Sequence, residues 1–285
     1  MCCLFGFVDY AGSLSVKQRN RLIRELSIAA EARGTDATGI AYNTSRGLQV
    51  YKRPLAAHRL HLKIPAEAHV VMGHTRMTTQ GSAKKNYNNH PFFGHVKEES
   101  FALAHNGVLW NDLELRHAKH LPRTKVQTDS YIAVQLLEQK KSLDFDSLRY
   151  MAEQVEGSFS FTVLDEQSAL WIVKGDSPLS IAYFPERGVY VYASTVEILN
   201  KALTRCGKQL GHRRTVEVEM GDLLKIDRRG HITRATFDAS KLCRPSWKYW
   251  SSSLYAEPPK TESEHIRLLK SVARAFGFTG EMIDR

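Results

Sequence analysis

Cys2-Cys3-Leu4-Phe5-Gly6-Phe7-Val8, directly behind Met1, is the stretch whose reading decides the fold. Seven uncharged, mostly apolar residues stopped by Asp9 predict a short buried strand. The terminus is then held in a sheet, where most termini fray. Cys2 is small enough for Met1 to be removed, which leaves a thiol and a free α-amine on one residue. An α-amine has a reference pKa of about 7.7–8.0, close to where a general base works best at neutral pH. Pairing a nucleophile with such an amine is a known activation route. A strand can aim that nucleophile, and a loose tail cannot.

Outward from this strand, Ser15 to Arg33 predicts a helix capped by Ser15, with Leu22, Ile23, Leu26, Ala29 and Ala30 on one face. Strands are expected near 38–43 and 48–52, joined by a hairpin around 43–47. Residues 68–72 read as a buried strand running into Gly73-His74-Thr75-Arg76. Helices are expected near 111–118, 129–139 and 145–155. Strands follow near 158–165, 169–174, 179–184 and 189–193, then a helix at 195–204 and strands near 214–219, 222–227 and 231–236. This order predicts a layered α+β architecture with large, mainly antiparallel sheets. The Ser-, Pro- and Trp-rich stretch 244–260 reads as a linker or surface arm, and 262–276 as a final helix.

The chain of 285 residues has ample length for a core, and no apolar run approaches the ~18–20 residues of a membrane helix. The N-terminal apolar run has no basic lead and no cleavage site, unlike a signal peptide. The cysteines at 2, 3, 206 and 243 show neither metal-ligand nor disulfide spacing, so no metal is expected and the cytoplasm is the expected location. No phosphate-binding glycine loop is present, and no cofactor is expected. Net charge is +10, and residues 201–248 carry twelve Lys/Arg against five Asp/Glu. That patch reads either as a solvated face or as a contact for something acidic, such as a nucleic acid.

Thiol attack on an amide needs an oxyanion site, and Asn106-Gly107 offers one side-chain amide and one backbone N–H. The same dipeptide between two apolar runs is equally a hairpin-turn signal. Arg76 ends a buried strand, where a bidentate carboxylate partner or an internal salt bridge would satisfy it. Asp129 stands where a helix begins, and helix capping accounts for it locally.

Taken in order, Met1-Cys2-Cys3-Leu4-Phe5-Gly6, Arg33-Gly34-Thr35-Asp36-Ala37-Thr38-Gly39, Gly73-His74-Thr75-Arg76, Asn89-His90-Pro91-Phe92, His105-Asn106-Gly107 and Thr128-Asp129 resemble one family. It is the class II glutamine amidotransferases, the N-terminal-nucleophile glutaminase domains, with the nearest likeness to the glutaminase half of glucosamine-6-phosphate synthase. The likeness continues through Glu156-Gly157-Ser158-Phe159-Ser160, Gly175-Asp176-Ser177-Pro178-Leu179 and Ala193-Ser194-Thr195.

The resemblance implies a four-layer αββα sandwich in a glutaminase domain spanning 2–240. Residues 241–285 then form a C-terminal arm with a short helix and no second catalytic domain. It implies Cys2 as the nucleophile, releasing glutamate and ammonia through a thioester, with Asn106 and Gly107 as the oxyanion site. Arg76 would hold the glutamine α-carboxylate and Asp129 its α-ammonium. His90, Thr79 and Gln80 are expected in the substrate pocket, and Arg33 beside the nucleophile. Ammonia is expected to pass to a separate acceptor enzyme. The alternative is a non-catalytic or differently specific protein of this fold, associated with nucleic acid through the basic stretch. Three departures stand out: Cys3 replaces the family's glycine, and Met77 and Gln80 replace a tryptophan and a histidine of the sugar-phosphate branch.

Overall fold

The computed structural model describes residues 2–207 and 210–242, so the expected C-terminal arm and its helix lie outside the described residues. Strands and helices are numbered in chain order. The first sheet is antiparallel and has seven strands. At its middle is β1 (Cys3–Asp9), bordered on one side by β4 (Val70–Arg76), β2 (Ala37–Thr44) and β3 (Gly47–Arg53). On its other side lie β10 (Val189–Ala193), β9 (Ser180–Phe184) and β11 (Arg214–Val216).

The second sheet, also antiparallel, has six strands. They run in the order β13 (Ile232–Thr236), β12 (Asp222–Ile226), β8 (Leu170–Val173), β7 (Gly157–Asp165), β6 (Ser100–Leu109) and β5 (Phe92–His95).

Strand alternation divides the apolar residues among three clusters. Cys3, Phe5 and Phe7 of β1 turn outward and pack with Leu22, Ile23 and Leu26 of α1 (Val16–Ala30) and with Ile198 and Leu199 of α5 (Val196–Cys206). Leu4 and Val8 turn inward and meet Ala102, Ala104, Leu164 and Ile172 of the second sheet. On that sheet's far face, Phe101, Leu103 and Phe161 pack against α3 (Tyr131–Lys140) and α4 (Phe145–Gln154) through Ile132, Leu136 and Leu148. The short α2 (Asp112–Ala118) adds Leu115 to the same layer. Helices thus cover the outer face of each sheet, and the architecture is the expected four-layer αββα sandwich. Among the described residues, no helix is long and apolar enough to cross a membrane.

Most expected elements appear within two or three residues of their expected bounds. Four differences have physical causes. Asn106-Gly107 is not a turn: β6 runs unbroken through both, with Asn106 opposite Ser160 and Gly107 opposite Phe159 of β7. Cross-strand pairing with β7 overrides the local turn preference. The expected strand 214–219 is only Arg214–Val216, an edge strand paired on one side with β9. Strand β5 was not expected at all, because its four residues with a central glycine carry too little pattern. Gly94 admits the Phe101 ring there, which would lie 2.4 Å from an added Cβ. Nor does Asp129 cap a helix, as described below.

Helix α1 begins as expected. The Ser15 hydroxyl accepts from the Gln18 N–H at 3.3 Å, and the Gln18 carboxamide accepts from the Ser15 N–H at 2.8 Å, a reciprocal capping box. Ser15→Ala should therefore lower unfolding free energy by about 0.5–2 kcal/mol, read as a reduced denaturant midpoint at constant m-value. Because the cap lies at the surface, secondary structure at room temperature should not change.

Candidate active site

The register that pairs Cys3 of β1 with Thr75 of β4 sets Cys2 beside Arg76. By alternation Cys2 shares the inward face with Leu4, while Cys3 is fully buried in the outward layer. The half-buried Cys2 thiol donates to the Met77 carbonyl at 3.5 Å. Arg33 Nε donates to the Cys2 carbonyl at 2.7 Å, which holds the first residue of the described chain against the end of the helix layer. The two thiols therefore have different surroundings. Cys3 donates to the Leu4 carbonyl at 3.3 Å, and burial pushes its pKa up to about 11.

Asn106 sits on the inward face of β6, and its Nδ2 donates to the Ser194 hydroxyl at 3.3 Å. That hydroxyl also accepts from the Leu4 N–H at 2.8 Å. Ser194 follows β10 directly and so fastens the β1 backbone to a carboxamide of the opposite sheet. The role of Ser194 leaves no local signal in the sequence, since its two partners are 190 and 88 residues away. Gly107 has φ +143°, and an added Cβ would lie 1.8 Å from the Ser158 carbonyl oxygen. Only glycine fits there.

Arg76 is buried, yet no carboxylate lies within 4 Å of it among the described residues. This corrects the internal salt-bridge reading. Its Nη1 donates to Asn89 Oδ1 at 2.7 Å, while Nη2 donates to the carbonyls of Gln80 and Gly81. Asp129 is buried ahead of α3, but the helix N-cap is Ser130, whose side chain makes no capping bond. The Asp129 carboxylate instead accepts from the Leu109 N–H at 2.7 Å and so ties the end of β6. The Asp129 N–H donates to Gln80 Oε1 at 3.2 Å. Gln80 thus bridges Arg76 and Asp129, and the loop it belongs to is further held by the Thr78 N–H on Asp36 Oδ2 at 2.7 Å. Thr79 is exposed on that loop and stands outside this bonded network.

The structure brings Cys2, Arg33, Arg76, Gln80, Asn106, Gly107 and Asp129 into one bonded neighbourhood at one end of the sandwich. Part of the basic stretch, by contrast, is neutralised internally: Arg205 lies 3.6 Å from Glu25 and Arg234 lies 3.3 Å from Asp222.

Residues 74–201 match the family described as glutamine amidotransferase domain. The glutamine–fructose-6-phosphate aminotransferase of Thermus thermophilus is 30% identical over 238 residues, 81% of this chain and 36% of that protein. Its counterpart in Bacillus licheniformis is 30% identical over 184 residues, 62% of this chain and 30% of that protein. The chain belongs to the class II glutamine amidotransferases. It spans about a third of the length of these curated relatives. A solved amidotransferase structure, the glutamine phosphoribosylpyrophosphate amidotransferase of B. subtilis, shares the fold. It superposes with a TM-score of 0.63 at 20% identity, over 83% of this chain and 49% of that one.

Next to this cluster lie three buried histidines, His74, His90 and His105. His74 and His90 have ring centroids 4.1 Å apart, and His90 lies 4.3 Å from Phe92. His74 Nε2 meets the His105 carbonyl oxygen at 3.0 Å, and His105 Nδ1 meets the Ser130 hydroxyl at 2.8 Å. Burial lowers all three pKa values: His74 to about 3, His105 to about 4, and His90 well below its ordinary value. The expected pocket residue His90 is thus a neutral ring packed between His74 and Phe92.

The same burial pushes the thiol pKa of Cys2 up, offset in part by the Met77 backbone and by the Arg76 charge. The histidine shifts fix a pH dependence of stability. In the unfolded chain these imidazoles take up protons below about pH 6.5, and in the folded chain they stay neutral to well below that. Stability is therefore full above about pH 6.5 and is lost as pH falls toward 4. Denaturant titrations at pH 7.5, 6 and 5 should show it falling, and His90→Phe should flatten the decline.

Proposed function

We propose that this chain hydrolyses the side-chain amide of L-glutamine to glutamate and ammonia through a Cys2 thioester. The observation that carries this reading is the convergence of the half-buried Cys2 thiol, the carboxylate-free Arg76 guanidinium and the Ser194-held Asn106 carboxamide at one end of the sandwich. Burial keeps the Cys2 thiol protonated at neutral pH, so attack needs a base. After removal of Met1, the Cys2 α-amine is that base. It takes the thiol proton as sulfur bonds to the amide carbon, and it returns the proton to the leaving nitrogen as the carbon–nitrogen bond breaks. Water then cleaves the thioester by the same route in reverse.

Asn106 Nδ2 has one hydrogen on Ser194 and a second for the oxyanion, which the Gly107 N–H would share. Arg76 has guanidinium hydrogens beyond the three bonds it makes, and these suit a substrate α-carboxylate. The Asp129 carboxylate suits the α-ammonium. Ammonia produced here serves amidation only if an acceptor takes it before it is protonated, and an acceptor enzyme acting in trans is part of the proposal. Residues 2–240 form the glutaminase unit in this reading.

Intact-mass measurement of the purified chain, before and after treatment with a glutamine-like electrophile, should show loss of Met1 and one adduct on Cys2. Cys2→Ala should abolish glutamine hydrolysis while Cys3→Ala keeps most of it, since Cys3 faces the helix layer. The reverse pattern would overturn the assignment. Steady-state kinetics should also separate the two ends of the substrate. Asn106→Ala should lower kcat by roughly 10²-fold or more, whereas Arg76→Ala should act mainly on KM. An Asn106→Ala enzyme with altered KM alone would remove the oxyanion role.

A further inference from the structure

Lys52 is a buried-side cation that the mechanism above does not use. It lies on the inward face of β3, directly opposite Gly39 of β2. Its Nζ donates to the carbonyls of Asn89 at 2.6 Å and Pro91 at 2.9 Å, and stands 5.0 Å from the centroid of the Phe92 ring. Among the described residues no carboxylate lies within 4 Å of this ammonium. A surface lysine is held in water by its own hydration. A half-buried one without a counter-ion is held only by what accepts its protons. Here both acceptors belong to one three-residue segment, so the ammonium acts as a clamp on that segment.

Gly39 supports the same arrangement independently. A Cβ there would lie 2.2 Å from the His90 carbonyl oxygen, 2.9 Å from Pro91 Cδ and 2.8 Å from Lys52 Cβ. The bare backbone of β2 is what lets residues 90–91 lie against the hairpin within reach of Lys52. The clamped segment carries Asn89, whose Oδ1 accepts from Arg76 Nη1 at 2.7 Å. A second Asn89 bond, from Nδ2 to the Ala83 carbonyl at 2.8 Å, fixes the carboxamide in that sense. A continuous bonded path therefore runs from the edge of the first sheet, through 89–91, to the guanidinium.

We propose that Lys52 is a positioning residue for glutamine binding: it fixes the 89–91 segment so that Asn89 holds the Arg76 guanidinium ready for the α-carboxylate. This rests on the glutaminase reading of the site. Lys52 touches no reacting atom, and its effect falls on binding. Burial and the Arg76 charge push the Lys52 ammonium down to about 8. The other groups in its field are His74 and His90, which stay neutral, so Lys52 alone among them changes charge between pH 7 and 9. A neutral amine donates weaker bonds to the two carbonyls than an ammonium does. The clamp is thus tight at neutral pH and loosens as pH rises through about 8.

The test is steady-state glutamine hydrolysis from pH 7 to 9.5 by the wild-type chain, Lys52→Met and Lys52→Arg, with thermal melts to confirm folding. At pH 7.5, Lys52→Met should raise KM for glutamine about 10-fold with kcat within about twofold. Lys52→Arg, which keeps its charge at every pH used, should recover most of the binding. Its KM should also rise less steeply above pH 8 than that of the wild type. Titration of the substrate ammonium is common to all three proteins and cancels in this comparison. An unchanged KM in Lys52→Met, or superimposable pH profiles for the wild type and Lys52→Arg, overturns the positioning role and leaves the glutaminase reading standing. A wild-type chain that turns over no glutamine overturns both.

Discussion

The site depends on β1 being bonded along both edges. On one side β4 carries Arg76, and on the other β10 leads into Ser194, so both neighbours deliver a site residue to the end of the strand that bears Cys2. The two-residue period of the strand then does the sorting. Cys3, Phe5 and Phe7 are committed to the helix layer, and their burial fixes the face on which Cys2 stands. A shift of one residue in this register would exchange the two thiols, at the cost of exposing Phe5 and Phe7 to the inter-sheet layer. The hydrophobic pattern of one strand thus selects which sulfur stands on the inward face.

Charge in the site is arranged by removing alternatives. Two cations, Arg76 and Lys52, stand near one another with protein carbonyls and one carboxamide as acceptors and no carboxylate within bonding distance. Burial keeps the three histidines behind them from adding charge. The one buried carboxylate among the expected site residues, Asp129, already accepts from the Leu109 N–H. Such an arrangement leaves an unmet demand for an anion on the Arg76 side. The α-carboxylate of the proposed glutamine substrate would meet that demand.

How much of this was legible in the sequence follows from the range of the interactions. Local devices could be read directly: the Ser15 capping box, the strand pattern of residues 2–8, and the hairpin between β2 and β3. The αββα layering also followed, because strand and helix periodicities were clear and the motifs carried a resemblance. Asn106-Gly107 defeated local reading because a turn signal and a strand interior share that dipeptide, and only pairing with β7 decides between them. Asp129 misled in the same way, since a carboxylate at a helix start looks like a cap until the Leu109 N–H comes into view. Ser194 and Lys52 were silent. A lone serine after a strand and a lysine in an edge strand have no distinctive spacing, and their roles come from partners far along the chain.

The Leu4–Ser194 hydrogen bond has a consequence for assembly. Its partners are 190 residues apart, so the segment that carries Cys2 acquires its second neighbour only after nearly all of the sandwich has been synthesised and brought together. Closing so long a loop is entropically expensive, and contacts of this separation slow folding. The strand segment that bears the Cys2 thiol is therefore among the last parts of the sandwich to be locked in place.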